Sequence, residues 1–120
     1  MNRAELEAHL THFTGSGDFY KHSTGLVFTD GVKFLADRAG AYWLIDLIAS
    51  WQKRARKDRM LRDFQIWELR VDIKARTADA ICFRDANDEA FRQSISFTDF
   101  PLPSVTLYVE NDVVCLPSER

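Results

Sequence analysis

A run of cations in the middle of the chain is the first feature with recognisable chemistry. Of the 16 Lys and Arg residues, six fall within positions 53–62, namely Lys53, Arg54, Arg56, Lys57, Arg59 and Arg62. One interpretation is a local patch that binds phosphate or carboxylate groups of a partner. The other is structural, because cations at the C-terminal end of a helix complement its dipole and polar connectors are solvated. Trp51 and Phe64 flank the run, and we predict that both are core residues.

Acidic residues are concentrated in two predicted turns of the second half of the chain. These residues are Asp85, Asp88, Glu89, Glu110 and Asp112. Carboxylates held at the positions of phosphates would suit an inhibitor of a DNA-binding complex. The acidic turns and the basic run are therefore the two candidate partner-binding surfaces, and the sequence leaves the choice between them open.

Asp46 is the one acidic residue inside the most apolar helical pattern, between Ile45 and Leu47. A buried carboxylate costs several kcal/mol unless it is paired or hydrogen-bonded. One hypothesis is a functional acid with a raised pKa, which would make the protein a small enzyme. The alternative is that Asp46 faces a polar edge or pairs with a cation or with backbone amides, since no second catalytic group is visible nearby.

Other types of catalytic or metal chemistry have little support in the sequence. His9 and His12 share a helix face, but only His22 offers an obvious third metal ligand, so we predict no metal site. Cys82 and Cys115 lie in apolar, strand-like stretches and are predicted to be small buried hydrophobic residues. The segment Gly15-Ser16-Gly17 lacks the residues of a phosphate-binding loop. We therefore predict no catalytic residue and no cofactor.

The elements that would position these residues change character half-way along the chain. Helical spacing of apolar residues predicts three helices, over 2–13, from Asp30 to Gly40, and over 41–54. Asp30 would cap the second helix, and Gly40 would end it. Alternating polarity then predicts strands over 64–73, 79–84, 90–97, 105–109 and 113–116. Residues 19–28 are mixed and predict an extended arm. This order predicts an α+β fold, with N-terminal helices packed on one face of a C-terminal antiparallel sheet of about four to five strands.

Length and composition limit the remaining possibilities. The chain has 120 residues, 46% of them hydrophobic and 28% charged, which predicts one globular domain over 1–120. The formal net charge is −2, so no global field attracts nucleic acid or an anionic membrane. No apolar stretch approaches the roughly 20 residues of a membrane span, and the first residues do not form a signal peptide. We expect a cytoplasmic protein that does not bind membranes, with its oligomeric state left open because exposed sheet edges can pair.

Several short strings carry a resemblance to a known family. They are Phe13-Thr14-Gly15, 29–33 (TDGVK), 40–44 (GAYWL), 64–67 (FQIW), 98–102 (TDFPL) and 116–119 (LPSE). In this order they resemble a family of small bacterial and phage proteins, a numbered domain of unknown function often found near mobile elements. The resemblance implies one compact domain and brings no activity, cofactor or catalytic residue. This chain departs at two turns, because Ala86 and Asp112 stand where the family pattern has the conformationally permissive Gly.

These observations together predict a non-enzymatic binding protein that inhibits or regulates a macromolecular partner. The resemblance implies a mobile-element setting, in which such a protein would inhibit a host defence complex in the manner of an anti-CRISPR protein. The expected partner is a protein or a protein–nucleic-acid complex. Direct nucleic-acid binding through 53–62 and a small enzyme that uses Asp46 are the alternatives.

Overall fold

The computed structural model describes residues 2–13 and 17–120, and it has an α+β architecture. The helices are α1 (Arg3–Leu10), α2 (Asp30–Ala39), α3 (Tyr42–Ala55) and α4 (Arg59–Asp63). The strands are β1 (Phe19–Lys21), β2 (Val27–Thr29), β3 (Phe64–Asp72), β4 (Thr77–Asp85), β5 (Asp88–Ile95), β6 (Ser104–Glu110) and β7 (Val113–Cys115), and a 3-10 turn follows at Pro117–Glu119. The predicted break after the first helix falls partly on residues 14–16, which lie outside the described residues, as do two residues of the string at 13–15.

The sheet has seven strands in the order β1-β2-β7-β6-β3-β4-β5 and is mixed. The prediction of an antiparallel sheet of four to five strands is therefore wrong. β2 pairs with β7 in parallel, through Val27 with Val113 and Phe28 with Val114, whereas the other neighbouring strands are antiparallel. The segment predicted as an extended arm forms β1 and β2, whose three residues each are too few to establish a period. Their pairing with a strand from the C-terminal end is not encoded in any local pattern.

The start and end of α2 follow local rules, with one shift from the sequence prediction. Thr29, not Asp30, is the N-cap, and its side chain accepts a hydrogen bond from the amide of Val32. Asp30 is the first residue of the helix. Gly40 ends the helix in the left-handed conformation, with φ of 62°, as the sequence predicts.

The two turns at which the chain departs from the family pattern accommodate their substitutions differently. In the β4–β5 turn the left-handed residue is Asn87 (φ 66°), and Ala86 is not among the residues with positive φ. In the β6–β7 turn both Asn111 (φ 54°) and Asp112 (φ 63°) are left-handed. Asn and Asp tolerate this region better than other residues with a side chain. Of the two substitutions, therefore, only Asp112 of the β6–β7 turn stands at a left-handed position that the family pattern fills with Gly.

The core lies between the helices and one face of the sheet. Leu44 and Ile48 of α3 lie against Trp67 and Leu69 of β3 and the neighbouring strand residues Ala80, Val105 and Leu107. The inward residues of β3 are the odd-numbered ones, as its alternation predicts. On the other sheet face lie Phe64 and Tyr108, whose rings are 5.0 Å apart. Phe64 is thus half-buried on that second face, and its prediction as a core residue is wrong.

Two further sequence predictions concern the cysteines and the membrane. Cys82 and Cys115 are both buried and both free, as predicted for small hydrophobic residues in strands. Among the described residues, no helix has the length and apolar character needed to cross a membrane.

Candidate interaction surface

The basic segment, residues 53–62, covers the end of α3, a short connection and most of α4. Ala55 and Leu61 are fully buried and hold it against the domain. Asp58 starts α4, because its Oδ1 accepts hydrogen bonds from the amides of Met60 (3.0 Å) and Leu61 (3.2 Å). Apolar anchors and a local cap therefore fix the backbone, and the cations project from it.

A buried amide pair ties the same segment to the sheet. The side chains of Gln52 and Gln65 exchange two hydrogen bonds of 2.9 Å, one in each direction. Gln65 also donates to the carbonyl of Leu61 in α4 (3.1 Å) and accepts from the indole of Trp67 (2.9 Å). Gln52 donates to the carbonyl of Ile48. One satisfied polar network thus joins α3, α4 and β3, which limits how far the basic segment can move.

All six cations of the basic segment are exposed. Arg56 is 3.8 Å from Asp112 in the β6–β7 turn, and Arg54 lies over an aromatic ring. Within the described residues, Lys53, Lys57, Arg59 and Arg62 have no carboxylate within 4.0 Å. These four cations therefore form no direct ion pair within the described residues.

The acidic candidates lie at the same end of the sheet, but most of them face an arginine. Asp88 is 3.2 Å from Arg84, and Glu89 is 2.8 Å from Arg92. Glu110 is 2.9 Å from Arg120, whereas Asp112 faces Arg56 as described above. Asp85 accepts a hydrogen bond from the amide of Ala86. The structure therefore brings all eleven predicted residues to one end, where the acids are largely neutralised and most of the cations are not.

The ion pair between Asp58 and Arg84 connects the basic segment to β4. The Arg84 guanidinium lies 2.8 Å from Asp58 Oδ2. This hydrogen bond, together with those from the amides of Leu61 and Met60, lowers the pKa of the Asp58 carboxyl, and the same contact raises the pKa of Arg84. The Arg92 hydrogen bond likewise lowers the pKa of Glu89. Both carboxylates therefore remain charged at neutral pH.

An aromatic stack borders the basic segment on the side of β5. The rings of Trp51 and Phe91 are 4.8 Å apart and nearly parallel, at 23°. The Trp51 indole donates to Gln93 Oε1 (2.7 Å), and the Arg54 guanidinium carbon lies 5.0 Å from the Trp51 ring centre. Trp51 is half-buried at the edge of the domain, so its prediction as core is only partly correct. The spacing of Trp51 and Arg54 on one helix signals their contact, but the contribution of Phe91 has no local signal.

Comparison with known proteins gives one result. A family model matches residues 4–120. The chain belongs to the DUF6876 family. This is a family of unknown function, as the resemblance in the sequence implies, and it assigns no activity to any residue. No curated protein and no solved structure matches the chain.

Asp46, the residue on which the enzyme hypothesis for this DUF6876 protein depends, is not buried. Its side chain is 69% exposed, and its Oδ1 lies 2.7 Å from His22 Nε2. The amide of Thr24 donates to His22 Nδ1 (3.1 Å), so the neutral ring carries its proton on Nε2 and donates it to Asp46. This is the alternative in which Asp46 faces a polar edge and has a partner.

The two remaining histidines, His9 in α1 and His12 just after it, lie beside each other. The His9 ring stacks on Phe34 at 5.6 Å and is 6.3 Å from the His12 ring. Over residues 2–13 and 17–120, no group of three or more His, Cys, Asp or Glu side chains is arranged to hold a metal ion. The basic segment and its aromatic border are therefore the arrangement with the clearest capacity for recognition.

Proposed function

We propose that this protein is a non-enzymatic binding protein that contacts an anionic macromolecule through the basic segment. The observation that carries the proposal is the set of four exposed cations that have no ion-pair partner among the described residues, on an anchored backbone, in a chain whose net charge is −2. A cationic segment with an anchored backbone binds an anionic partner with a smaller loss of backbone entropy than a mobile segment. A local patch on a slightly acidic protein also disfavours unspecific attraction to every polyanion.

The acidic turns are the second candidate surface for a partner. Four of their five carboxylates face an arginine of the same chain, so a partner's cations would have to compete with these contacts. Within residues 2–13 and 17–120, no carboxylate competes in this way for Lys53, Lys57, Arg59 and Arg62. This difference supports the basic segment over the acidic turns.

Heparin chromatography tests the proposal, with the full chain and a polyanion of defined chemistry. Lys53→Gln with Lys57→Gln removes two free cations of the segment. Lys74→Gln with Arg76→Gln makes the same change in charge at the β3–β4 turn, at the opposite end of β3. We expect the wild-type protein to be retained, the first variant to elute at lower salt, and the control to elute like the wild type.

Two results of this experiment would contradict the proposal. Equal shifts for the two double variants would mean that net charge, not the segment, decides retention. No retention of the wild-type protein at low salt would mean that the patch does not bind polyanions. Circular dichroism of each variant verifies that the fold is intact.

The regulatory role is a finer proposal. In this proposal the protein acts in the cytoplasm as an inhibitor of a host defence complex. The resemblance to small proteins of mobile elements supports the proposal. Affinity capture from host lysate, with and without nuclease, tests it. A stoichiometric protein partner that survives nuclease is expected. Capture that depends entirely on nucleic acid would contradict inhibition through a protein contact.

A further inference from the structure

We propose that the basic segment binds single-stranded nucleic acid, and that the Arg54 guanidinium is the platform on which an unpaired base stacks. The inference deepens the proposed function and rests on it, because the same cations supply the attraction to phosphate. What it adds is the class of partner and one residue that distinguishes this partner from other polyanions.

The platform consists of three side chains that contact each other in turn. Phe91 of β5 supports Trp51 of α3 at 4.8 Å, and Trp51 supports the Arg54 guanidinium at 5.0 Å. The hydrogen bond from the Trp51 indole to Gln93 holds the middle side chain in its orientation. The guanidinium therefore rests on an aromatic ring that is itself supported, so a ligand would meet a surface that is already ordered.

The outer side of Arg54 is available to a ligand. Arg54 is exposed, and in the described residues no carboxylate lies within ion-pair distance of it. Arginine planes stack on nucleobases, and proteins that bind single strands combine such stacking with a cationic path for the backbone. Lys53 precedes Arg54 in the chain, and the Lys57 amide donates to the Arg54 carbonyl (3.1 Å), so two free cations are attached to the backbone next to Arg54.

A nucleic-acid duplex and an acidic protein, the two other classes of anionic partner, would contact the charge of Arg54 but not its planar face. In a duplex the bases are already stacked on each other, so only phosphates would reach the cations, and Arg54 would act only as a charge. An acidic protein would also need only the charge of Arg54. Only an unpaired base uses its planar face, which is why Arg54→Lys, a change that keeps the charge and removes the plane, separates these cases.

Fluorescence anisotropy with the full chain tests the inference. The probes are fluorescein-labelled single-stranded oligo-dT and oligo-U and a blunt DNA duplex of the same length. Arg54→Lys should weaken binding of at least one single strand by about fivefold or more. Arg76→Lys, the same substitution at an exposed arginine of the β3–β4 turn, outside the basic segment, should leave affinity nearly unchanged. Binding of the duplex and elution from heparin should not respond to Arg54→Lys.

The outcomes separate this inference from the proposed function. Equal effects of Arg54→Lys and Arg76→Lys, or duplex binding as tight as that of both single strands, would overturn the stacking platform but leave the basic segment as a polyanion surface. Poly-glutamate binding as tight as that of the oligonucleotides would overturn it in favour of an acidic protein. If Lys53→Gln with Lys57→Gln changes neither heparin elution nor oligonucleotide affinity, both proposals fail. A preference for oligo-dT or oligo-U identifies DNA or RNA as the partner.

Discussion

At the residue scale, burial makes the two thiols unreactive. Burial raises the pKa of the Cys82 thiol to about 12 and that of Cys115 to about 11, so each holds very little thiolate at pH 8. We expect the native protein to react with an aromatic disulfide reagent at pH 8 far more slowly than the protein in guanidinium chloride. The absorbance of the released thiolate measures both rates.

The variant Cys115→Ser identifies which thiol reacts first. Cys82 has no exposed surface, whereas Cys115 retains a small accessible fraction, so we expect the slow native reaction to come mainly from Cys115. A fast reaction of Cys82 in the native variant would show that β4 opens readily, which its place between β3 and β5 does not predict.

At the element scale, the amide pair of Gln52 and Gln65 determines how firmly the basic segment is held. Gln65→Leu fits the apolar surroundings but leaves the Gln52 amide, the Leu61 carbonyl and the Trp67 indole without this partner. We expect a loss of about 2–4 kcal/mol in the free energy of unfolding, because buried unpaired groups are costly. Urea denaturation measures it. Gln93→Leu, the same change on exposed strand β5, should cost about 1 kcal/mol or less, and equal losses would contradict a special role for the network.

The elements also show how far the sequence predicts the fold. α3 and β3 were predicted to within one or two residues of their ends, because a long apolar period is a property of the segment itself. β1 and β2 are not predicted, because each has only three residues. They form strands through pairing, of β1 with β2 and of β2 with β7. For the candidate surface, charge alone predicted the exposure of Lys53 and Lys57. The pairing of Asp112 with Arg56 and the support of Trp51 by Phe91 depend on contacts between distant segments.

At the scale of the whole molecule, the strand order concentrates the candidate residues. β3 begins directly after the basic segment, and its antiparallel neighbours β4 and β6 end beside that start. The turns that follow β4 and β6 carry the acidic residues, so Arg84 reaches Asp58 and Arg56 approaches Asp112. One end of the sheet thus combines the free cations with a rim of paired charges, whereas the opposite end carries Lys74 and Arg76, the control positions of the heparin experiment.

At the same scale, Glu119 connects the C-terminal turn to the start of α2. The Glu119 carboxylate accepts hydrogen bonds from the Thr29 hydroxyl (2.6 Å), the Gly31 amide (3.2 Å) and the Leu116 amide (2.9 Å). A side chain at Gly31 would meet Leu116 and Glu119 at less than 3.0 Å, so Gly permits this close approach. Glu119 therefore caps α2 from the far end of the chain.

We expect Glu119→Ala to lower the free energy of unfolding by about 2–3 kcal/mol, since hydrogen bonds to a charged acceptor are among the stronger ones. Hydrogen exchange should accelerate in the first turn of α2 and in β2, while β3 and β4 keep their protection, because only the N-terminal part of the sheet depends on this cap. Glu119→Gln keeps one acceptor oxygen and should cost less than Glu119→Ala. Uniform acceleration across all strands would contradict a local cap and indicate that the C-terminal turn supports the entire sheet.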